Sequence, residues 1–182
     1  LYEAGEPNPA LTGLIRANVR LPELVMGDFH AQIAGGTVGG ERLLEFMEEF
    51  GLTRLEPLGD EIVGRTERAM RESIARLRPG AYTYAVTSDG FDEPITIQVR
   101  CEAHGGELAI DYTGSSPESR RGINVVMNYT EAYSTYGAKV IVSPDVPNNE
   151  GAFRPVRITA PEGSILNPRM DRPEIVSTIT EA

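Results

Sequence analysis

The sequence predicts an α+β fold in which N-terminal helices are followed by a mainly antiparallel sheet with a further helix packed on it. Apolar residues recur at helical spacing up to about residue 78, period-two alternation begins after Gly80, and glycine-rich turns separate the alternating stretches. We therefore divide the chain into a helical segment, residues 1–79, and a segment of antiparallel sheet plus helix, residues 80–182. Both are expected to be parts of one larger domain.

The first segment contains three predicted helices. Asn8 and Pro9 supply an N-cap and a first helical residue for one of them. Pro22 begins the second helix, and Gly51 ends it at the position where a left-handed residue is favoured. The third helix runs over residues 60–78, with an apolar stripe opposite a face of alternating charge.

The second segment contains three predicted strands in succession, at residues 81–87, 94–102 and 108–112. His104-Gly105-Gly106 is expected to form the hairpin turn between the last two. A helix over residues 128–142 and a short strand over residues 156–160 follow, each preceded by a polar loop.

Composition excludes several classes of function. Acidic residues number 27 and basic residues 17, so the net charge of −10 argues against a surface for nucleic acid or anionic membrane. One cysteine and two histidines exclude a disulfide framework and a Cys- or His-rich metal centre. Without an apolar run of about 20 residues or a basic start before an apolar stretch, we expect a cytoplasmic protein. The first residue is not Met, which we interpret as the mark of an internal fragment.

Two single features have ordinary structural interpretations. The glycine-rich run at residues 35–40 follows a helical pattern, whereas a phosphate-binding loop would follow a strand. It therefore indicates a weakened helix. Cys101 falls in the apolar register of its strand, which favours a buried thiol over a nucleophile.

The two polar loops are the candidate functional segments. The first polar loop, residues 113–124, follows Asp111 and is rich in hydroxyls, with adjacent arginines and a nearby helix start that could hold a carboxylate or phosphate. The second polar loop, residues 144–155, contains paired asparagines and an acid–arginine pair. The residues alone leave open whether these loops form a site or are scaffolds that satisfy their own hydrogen bonds.

Several blocks of the sequence resemble the hydantoinase B/oxoprolinase family. They occur in family order over nearly the whole chain: GDFHAQIA at residues 27–34, GGERLL at 39–44, DYTGSSP at 111–117, GIN at 122–124, PDVPNNEGAFRP at 144–155 and PEGSILNP at 161–168. The resemblance implies a fragment of the B-type subunit of an ATP-dependent enzyme that cleaves the cyclic amide of a hydantoin or oxoproline. The large subunit of a ketone carboxylase from the same family is an alternative.

The resemblance also implies partners and cofactors. It implies a hydantoinase A-type ATP-binding subunit, with ATP and a divalent metal held there and neither held by this fragment. It further implies a small-molecule substrate, an oligomer, and no nucleic acid or membrane. We expect the isolated fragment to be inactive.

On this interpretation the polar loops hold anionic or amide oxygens, for which arginine and asparagine donors are suited. Glu150 and Asp111 are the candidate acid–base or orienting groups. The candidate substrate- or anion-binding residues are Arg121, Asn124, Asn148, Asn149 and Arg154. The rival hypothesis is a non-catalytic scaffold and subunit-interface module. Convergence of the two loops on one cleft favours a site, and separation at opposite ends favours the scaffold.

Overall fold

The structure, a computed structural model, describes residues 1–3, 5–169 and 171. It divides into two compact units, residues 1–56 and 57–182, the last eleven of which (172–182) lie outside the described residues. The sequence-based division after residue 79 follows the change from helix to strand and stays a prediction about the larger domain.

The first unit begins with a small hairpin, β1 (Tyr2–Glu3) and β2 (Glu6–Pro7), followed by α1 (Pro9–Asn18) and α2 (Pro22–Glu49). The hairpin is too short to predict from the sequence, but both helix starts are confirmed. The Asn8 side chain accepts hydrogen bonds from the backbone N–H groups of Ala10 and Leu11, each at 3.1 Å. Gly51 follows α2 with φ +62°, as a left-handed helix stop requires.

Helix α2 runs without interruption through the glycine-rich run. All 28 of its residues are helical, so the prediction of a helix rather than a phosphate loop is confirmed. Met26 is its single buried residue among those described, whereas Leu44 and Phe50 stay exposed. Among the described helices, none combines the length and apolarity needed to cross a bilayer.

The described part of the second unit contains one sheet and three helices. Helix α3 (Glu56–Ala75) starts four residues earlier than predicted and ends three residues earlier than predicted. Its companions along the chain are β3 (Gly80–Ser88), β4 (Ile95–His104), β5 (Glu107–Asp111), α4 (Met127–Val142), α5 (Glu150–Phe153) and β6 (Val156–Thr159). Helix α4 agrees with the prediction to within one residue, but the second polar loop, predicted as loop throughout, contains the short helix α5.

The four strands form a mixed sheet in the order β3-β4-β5-β6. The pairs β3–β4 and β4–β5 are antiparallel, as predicted, and the second pair is joined by a tight turn in which Gly105 and Gly106 both have positive φ. The pair β5–β6 is parallel. A parallel neighbour needs a long crossover, and the segment containing α4 supplies it. The prediction of an α+β fold with a mainly antiparallel sheet is confirmed, since two of the three strand pairs are antiparallel and the third makes the sheet mixed.

The core lies on one face of this sheet, against α3 and α4. Met70 and Ile74 of α3 pack with Ala103, Leu108 and Ile110 of the sheet, and all five are buried. Ala138 and Val142 add the contact from α4, together with partly buried side chains at Leu77, Val99, Cys101, Tyr112, Val156 and Ile158. The period-two pattern of the strands therefore places the apolar side chains on the helix-covered face.

The chain's single lysine is buried in this layer. Lys139 lies in the last turn of α4, and its ammonium donates a hydrogen bond to the carbonyl oxygen of Ser143 at 3.3 Å. The Ser143 hydroxyl in turn lies 3.2 Å from the hydroxyl of Ser73 on α3. A cation at this position complements the negative end of the helix dipole.

We expect Met70→Ala to lower the free energy of unfolding by about 2–5 kcal/mol, because the fully buried side chain leaves a cavity. Urea unfolding followed by circular dichroism measures this. The matched control is Ile62→Ala on the same helix, where a half-exposed side chain predicts a change below about 1 kcal/mol. Equal losses for the two variants would contradict the described core.

Candidate functional site

Asp111 ends β5 and holds the start of the first polar loop. One of its carboxylate oxygens accepts hydrogen bonds from the Thr113 backbone N–H at 3.0 Å, the Thr113 hydroxyl at 2.8 Å and the Thr159 hydroxyl at 3.2 Å. The hydrogen bonds from Thr113 lower the pKa of the Asp111 carboxyl, and Thr159 and the charge of Arg100 add to the effect. Asp111 is therefore a carboxylate at neutral pH, suited to orienting a group and not to donating a proton.

Asn124 closes the first polar loop from inside. Its side chain is fully buried, and its carbonyl oxygen accepts from the Ser119 N–H at 2.7 Å. Its amide nitrogen donates to the carbonyl oxygens of Ser119 and Arg121 at 2.9 and 3.1 Å. A buried amide that holds its own loop in this way determines the loop's shape.

The first polar loop is brought against the PEGSILNP block, residues 161–168. The Ile165 N–H donates to the Ser116 carbonyl oxygen at 3.0 Å, and the Glu118 N–H donates to the Gly163 carbonyl oxygen at 2.8 Å. The Thr130 hydroxyl of α4 donates to the Leu166 carbonyl oxygen at 2.8 Å. Two blocks that stand about 40 residues apart in the sequence thus form one hydrogen-bonded layer.

Arg121 is paired with an acid that the sequence analysis did not single out. Its guanidinium binds the Asp92 carboxylate through two hydrogen bonds, at 3.1 and 3.0 Å, and both side chains are exposed. The hydrogen bond with Arg121 lowers the pKa of the Asp92 carboxyl, and the charge of Arg120 adds to the effect. The pair borders an open cavity of about 770 Å³ between residues 91–95 and 116–123.

The second polar loop is packed onto α3. Asn149 caps α5 by accepting from the Gly151 N–H at 2.9 Å, and its amide donates to the Thr66 hydroxyl at 2.8 Å. Gly151 presses on α3 so closely that a Cβ there would lie 2.0 Å from the carbonyl oxygen of Val63. The position of this loop is therefore determined by contact with α3.

Arg154 lies between two carboxylates. It donates to Glu150 at 2.7 and 3.0 Å and to Glu67 of α3 at 3.2 Å, and these contacts raise its pKa. Glu67 also binds Arg71, which extends to Glu107 at the start of β5. We call Glu67, Arg71, Glu107, Glu150 and Arg154 the charge network. Two candidates, Glu150 and Arg154, are thus paired with each other within it.

Asn148 differs from the other candidates because its amide makes no hydrogen bond within the described part of the chain, and it is exposed. It borders a cavity of about 530 Å³ whose lining comes from α4, α5 and β6. Polar groups at the cavity come from Asn128, Glu131 and Thr135 of α4, and apolar side chains come from Ala132, Phe153, Val156 and Ile158. We call this cavity the α4 groove.

The sequence analysis missed the polar residues on α4. Asn128, Glu131 and Thr135 recur at spacings of three and four, which places them on one helix face. This spacing could have indicated a polar helix face from the sequence alone. It could not have indicated that the second polar loop lies beside this face, because the two are not adjacent in sequence. The contact needs the crossover to β6.

The two polar loops do not share a cleft. The first leaves the carboxyl end of β5 after Asp111, and the second enters the amino end of β6 before Val156. Because β5 and β6 are parallel and pair from Leu108–Val156 to Asp111–Thr159, these ends are opposite, about 10 Å apart along the strands. Each loop lines its own cavity. By the criterion stated in the sequence analysis, this separation favours the scaffold hypothesis over a single site built from both loops.

The described residues offer no metal-ligand set. No three His, Cys, Asp or Glu side chains among them lie close enough together to hold an ion. Burial raises the pKa of the Cys101 thiol, which disfavours the thiolate form that a nucleophile needs.

Comparison with known proteins gives concordant matches. The family described as hydantoinase B/oxoprolinase has a model that matches residues 1–181. The B-type subunit of a putative D-/L-hydantoinase from Pseudomonas sp. strain NS671 is 32% identical, over 96% of this chain and 32% of its own length. The 5-oxoprolinase 1 of Arabidopsis thaliana is 29% identical, over 79% of this chain and 12% of its own length.

Solved structures share the fold. The ATP-dependent caprolactamase from Pseudomonas jessenii superposes with a TM-score of 0.84 at 23% identity, over 96% of this chain and 31% of that one. Acetone carboxylase in its nucleotide-free form gives a TM-score of 0.73 at 19% identity, over 91% of this chain and 24% of that one. The chain thus spans a third or less of the length of each of these proteins.

We expect the Asp111 carboxyl to titrate below the ordinary value near 3.9, and Thr113→Val to raise its pKa. The Thr113 hydroxyl makes the hydrogen bond that lowers the Asp111 pKa most. Thr113→Val is therefore expected to raise this pKa more than the matched control, Thr159→Val. Carbon-13 NMR of the labelled carboxyl during a pH titration measures both. Because the folded pKa is depressed, the stabilisation is present above the unfolded pKa and is lost as the pH falls through the folded one. An unchanged titration in Thr113→Val would contradict the described turn.

We expect Gly151→Ala to lower the free energy of unfolding by about 1–3 kcal/mol, because the added methyl group meets the backbone of α3. The control is Gly137→Ala in α4, where a Cβ has open space and alanine favours the helix by about 0.5–1 kcal/mol. Chemical unfolding of both variants tests the contact. Neutral behaviour of Gly151→Ala would show that α5 does not press on α3.

Proposed function

This chain belongs to the hydantoinase B/oxoprolinase family, and from that premise we propose that it is part of the B-type subunit of an ATP-dependent enzyme that cleaves a cyclic amide. The observation that carries the proposal is the family match over residues 1–181. A relative named as a hydantoinase subunit and others named as oxoprolinases support a hydantoin or oxoproline as the substrate class.

The chemistry defines what the site has to do. An amide carbonyl is a poor target for water. Phosphorylation of its oxygen, with ATP as the donor and ADP as the product, would activate the carbonyl carbon. Water would then add to that carbon, the ring C–N bond would break with the nitrogen leaving as an amine, and a second water would release the phosphate from the resulting acyl phosphate. The cleft must then admit the reacting water, exclude bulk solvent and stabilise negatively charged oxygen with fixed donors.

We assign the holding of the cyclic amide to the α4 groove. An asparagine amide presents a donor and an acceptor side by side, which matches the carbonyl oxygen and N–H of a ring amide. Asn148 has this group available, Asn128 offers a second, and Glu131 is an acceptor for a ring N–H. The apolar side chains of Val156 and Ile158 suit the ring itself, and a cavity of about 530 Å³ is large enough for it.

The other candidates take supporting roles in this proposal. Asn149, Glu150 and Arg154 hold the segment that carries Asn148 onto α3. Asp111 and Asn124 hold the first polar loop. Arg121 becomes available to an anionic group only if that group displaces Asp92, because the two are bound to each other.

Among the described residues, neither a phosphate-binding loop nor a metal-ligand cluster indicates a site for ATP or its divalent metal. The glycine-rich run lies inside α2 and forms no phosphate cradle, and the described residues contain no metal-ligand cluster. We propose that both are held by a hydantoinase A-type partner, which would supply the phosphoryl donor. The 182-residue chain by itself is then inactive.

The second candidate function is a non-catalytic scaffold and subunit-interface module. Two observations favour it: the polar loops lie at opposite strand ends, and both candidate arginines are paired with carboxylates of the same chain. A ketone carboxylase large subunit is the other alternative within the family. A ketone carboxylase would differ from a cyclic amide hydrolase by consuming bicarbonate together with a ketone.

We expect Asn148→Ala to reduce amide-dependent ATP hydrolysis by roughly tenfold or more, mainly through KM, since one hydrogen-bonding amide is lost. The assay uses the family-length protein with its ATP-binding subunit and hydantoin or oxoproline. The matched control is Asp145→Ala, an exposed residue of the same loop that does not line the groove.

Each result decides between the candidates. If the Asn148→Ala variant turns over at the wild-type rate, the α4 groove does not hold the cyclic amide. If Asn148→Ala impairs subunit assembly and leaves the turnover of the assembled complex intact, the scaffold is favoured. Bicarbonate-dependent ATP use with a ketone, and none with a cyclic amide, would favour the carboxylase.

A further inference from the structure

The helix layer covers only part of the sheet. Helix α4 contacts β6, and its Ser134 hydroxyl lies 2.7 Å from the Tyr112 hydroxyl at the end of β5. Over β3 the same face carries Tyr82, Tyr84 and Val86, which are opposite Cys101, Val99 and Ile97 in register. Tyr84 is 71% exposed although it lies on the core face. The apolar face therefore continues across the sheet to β3, but the helices that pack on this face do not extend over β3.

The uncovered part forms a groove of about 660 Å³ between β3 and α4. Its walls come from Tyr82 on one side and from Tyr133 and Ile141 of α4 on the other, and Ile141 is 81% exposed. Its floor includes Leu108 and Ile110, members of the buried core. An opening that reaches the core itself indicates that a further element belongs there.

The edge of β3 supports the same conclusion independently. All nine of its residues are exposed, and none of them is charged. Natural edge strands are usually short, charged or interrupted by proline, which prevents pairing with another chain. The opposite edge, β6, has four residues and carries Arg157. Within the part of the chain that the structure describes, β3 presents an unpaired edge of nine residues, which is suited to accept a further strand.

We propose that a strand and a helix from the rest of a hydantoinase B-type polypeptide complete this half of the sheet, the strand on the β3 edge and the helix in the groove. β3 and β4 together are about 10 Å wide, which is the diameter of one helix. The relative from Pseudomonas sp. strain NS671 matches 96% of this chain with only 32% of its own length, so family proteins carry ample further polypeptide. The proposal needs the family membership and not the catalytic assignment.

A second copy of the chain fits this surface less well. Antiparallel pairing of β3 with its symmetry mate would satisfy the strand edge, and a perpendicular two-fold axis would place both α4 helices on the same face. Both β3 strands, and the part of each β4 that α3 does not cover, would then lie open between the helices, a width of roughly 20 Å. Pairing of two copies would leave the groove open.

Amide hydrogen exchange of the β3 peptide, residues 80–88, tests the proposal. The N–H groups of every second residue point away from β4. For these outward N–H groups we expect fast exchange in the 182-residue chain and exchange slower by roughly tenfold or more in a family-length protein that carries it. Tyr84→Lys in the family-length protein should abolish the added protection, because a charge enters the covered face. Thr83→Lys is the matched control, since Thr83 is on the other face of the same strand and is exposed.

Three results would overturn the proposal. They are protection of the outward N–H groups of β3 in the monomeric 182-residue chain, protection of these groups that rises with concentration as the mass doubles, and equal exchange of these groups in the short and family-length proteins. If Tyr84→Lys fails to fold, Tyr84→Thr keeps the strand propensity and removes the apolar ring. It should show a smaller loss of protection in the same experiment. Since no readout involves turnover, failure here is distinguishable from failure of the proposed activity.

Discussion

The parallel pairing of β5 with β6 is the constraint on which the rest of the second unit depends. It requires a crossover, and the crossover contains α4, both polar loops and α5. It also sends the two polar loops to opposite ends of the strand pair. The first polar loop then meets residues 161–168, which follow β6, and the second meets α3. The separation of the two groups of candidate residues follows from this single register.

Local patterns in the sequence were enough to predict most elements. The cap at Asn8, the stop at Gly51 and the turn at Gly105 and Gly106 depend on the chemistry of a few adjacent residues, and each was confirmed. Helix α5 was missed because four residues give no periodicity, and its stability depends on the Asn149 cap and the fit of Gly151 against α3. The direction of β6 was missed because strand pairing is a long-range property.

The candidate residues were chosen for chemical type, and type does not reveal partners. Asp92 and Glu67, which bind Arg121 and Arg154, stand 29 and 87 residues away from them in sequence. No spacing rule connects such pairs. The asparagines show the same point, since Asn124 is buried in its loop and Asn148 faces a cavity although both occur in similar polar runs. Only the fold distinguishes an asparagine that builds the frame from one that is available to a ligand.

The charge network has a consequence for how this family can change over time. Glu67 holds Arg71 and Arg154 together, so its replacement by a neutral residue would leave two guanidinium groups without a shared anion. Loss of a single arginine would in turn leave neighbouring carboxylates to repel one another. These five positions are therefore expected to covary among homologues, with substitutions at one accompanied by compensating substitutions at the others.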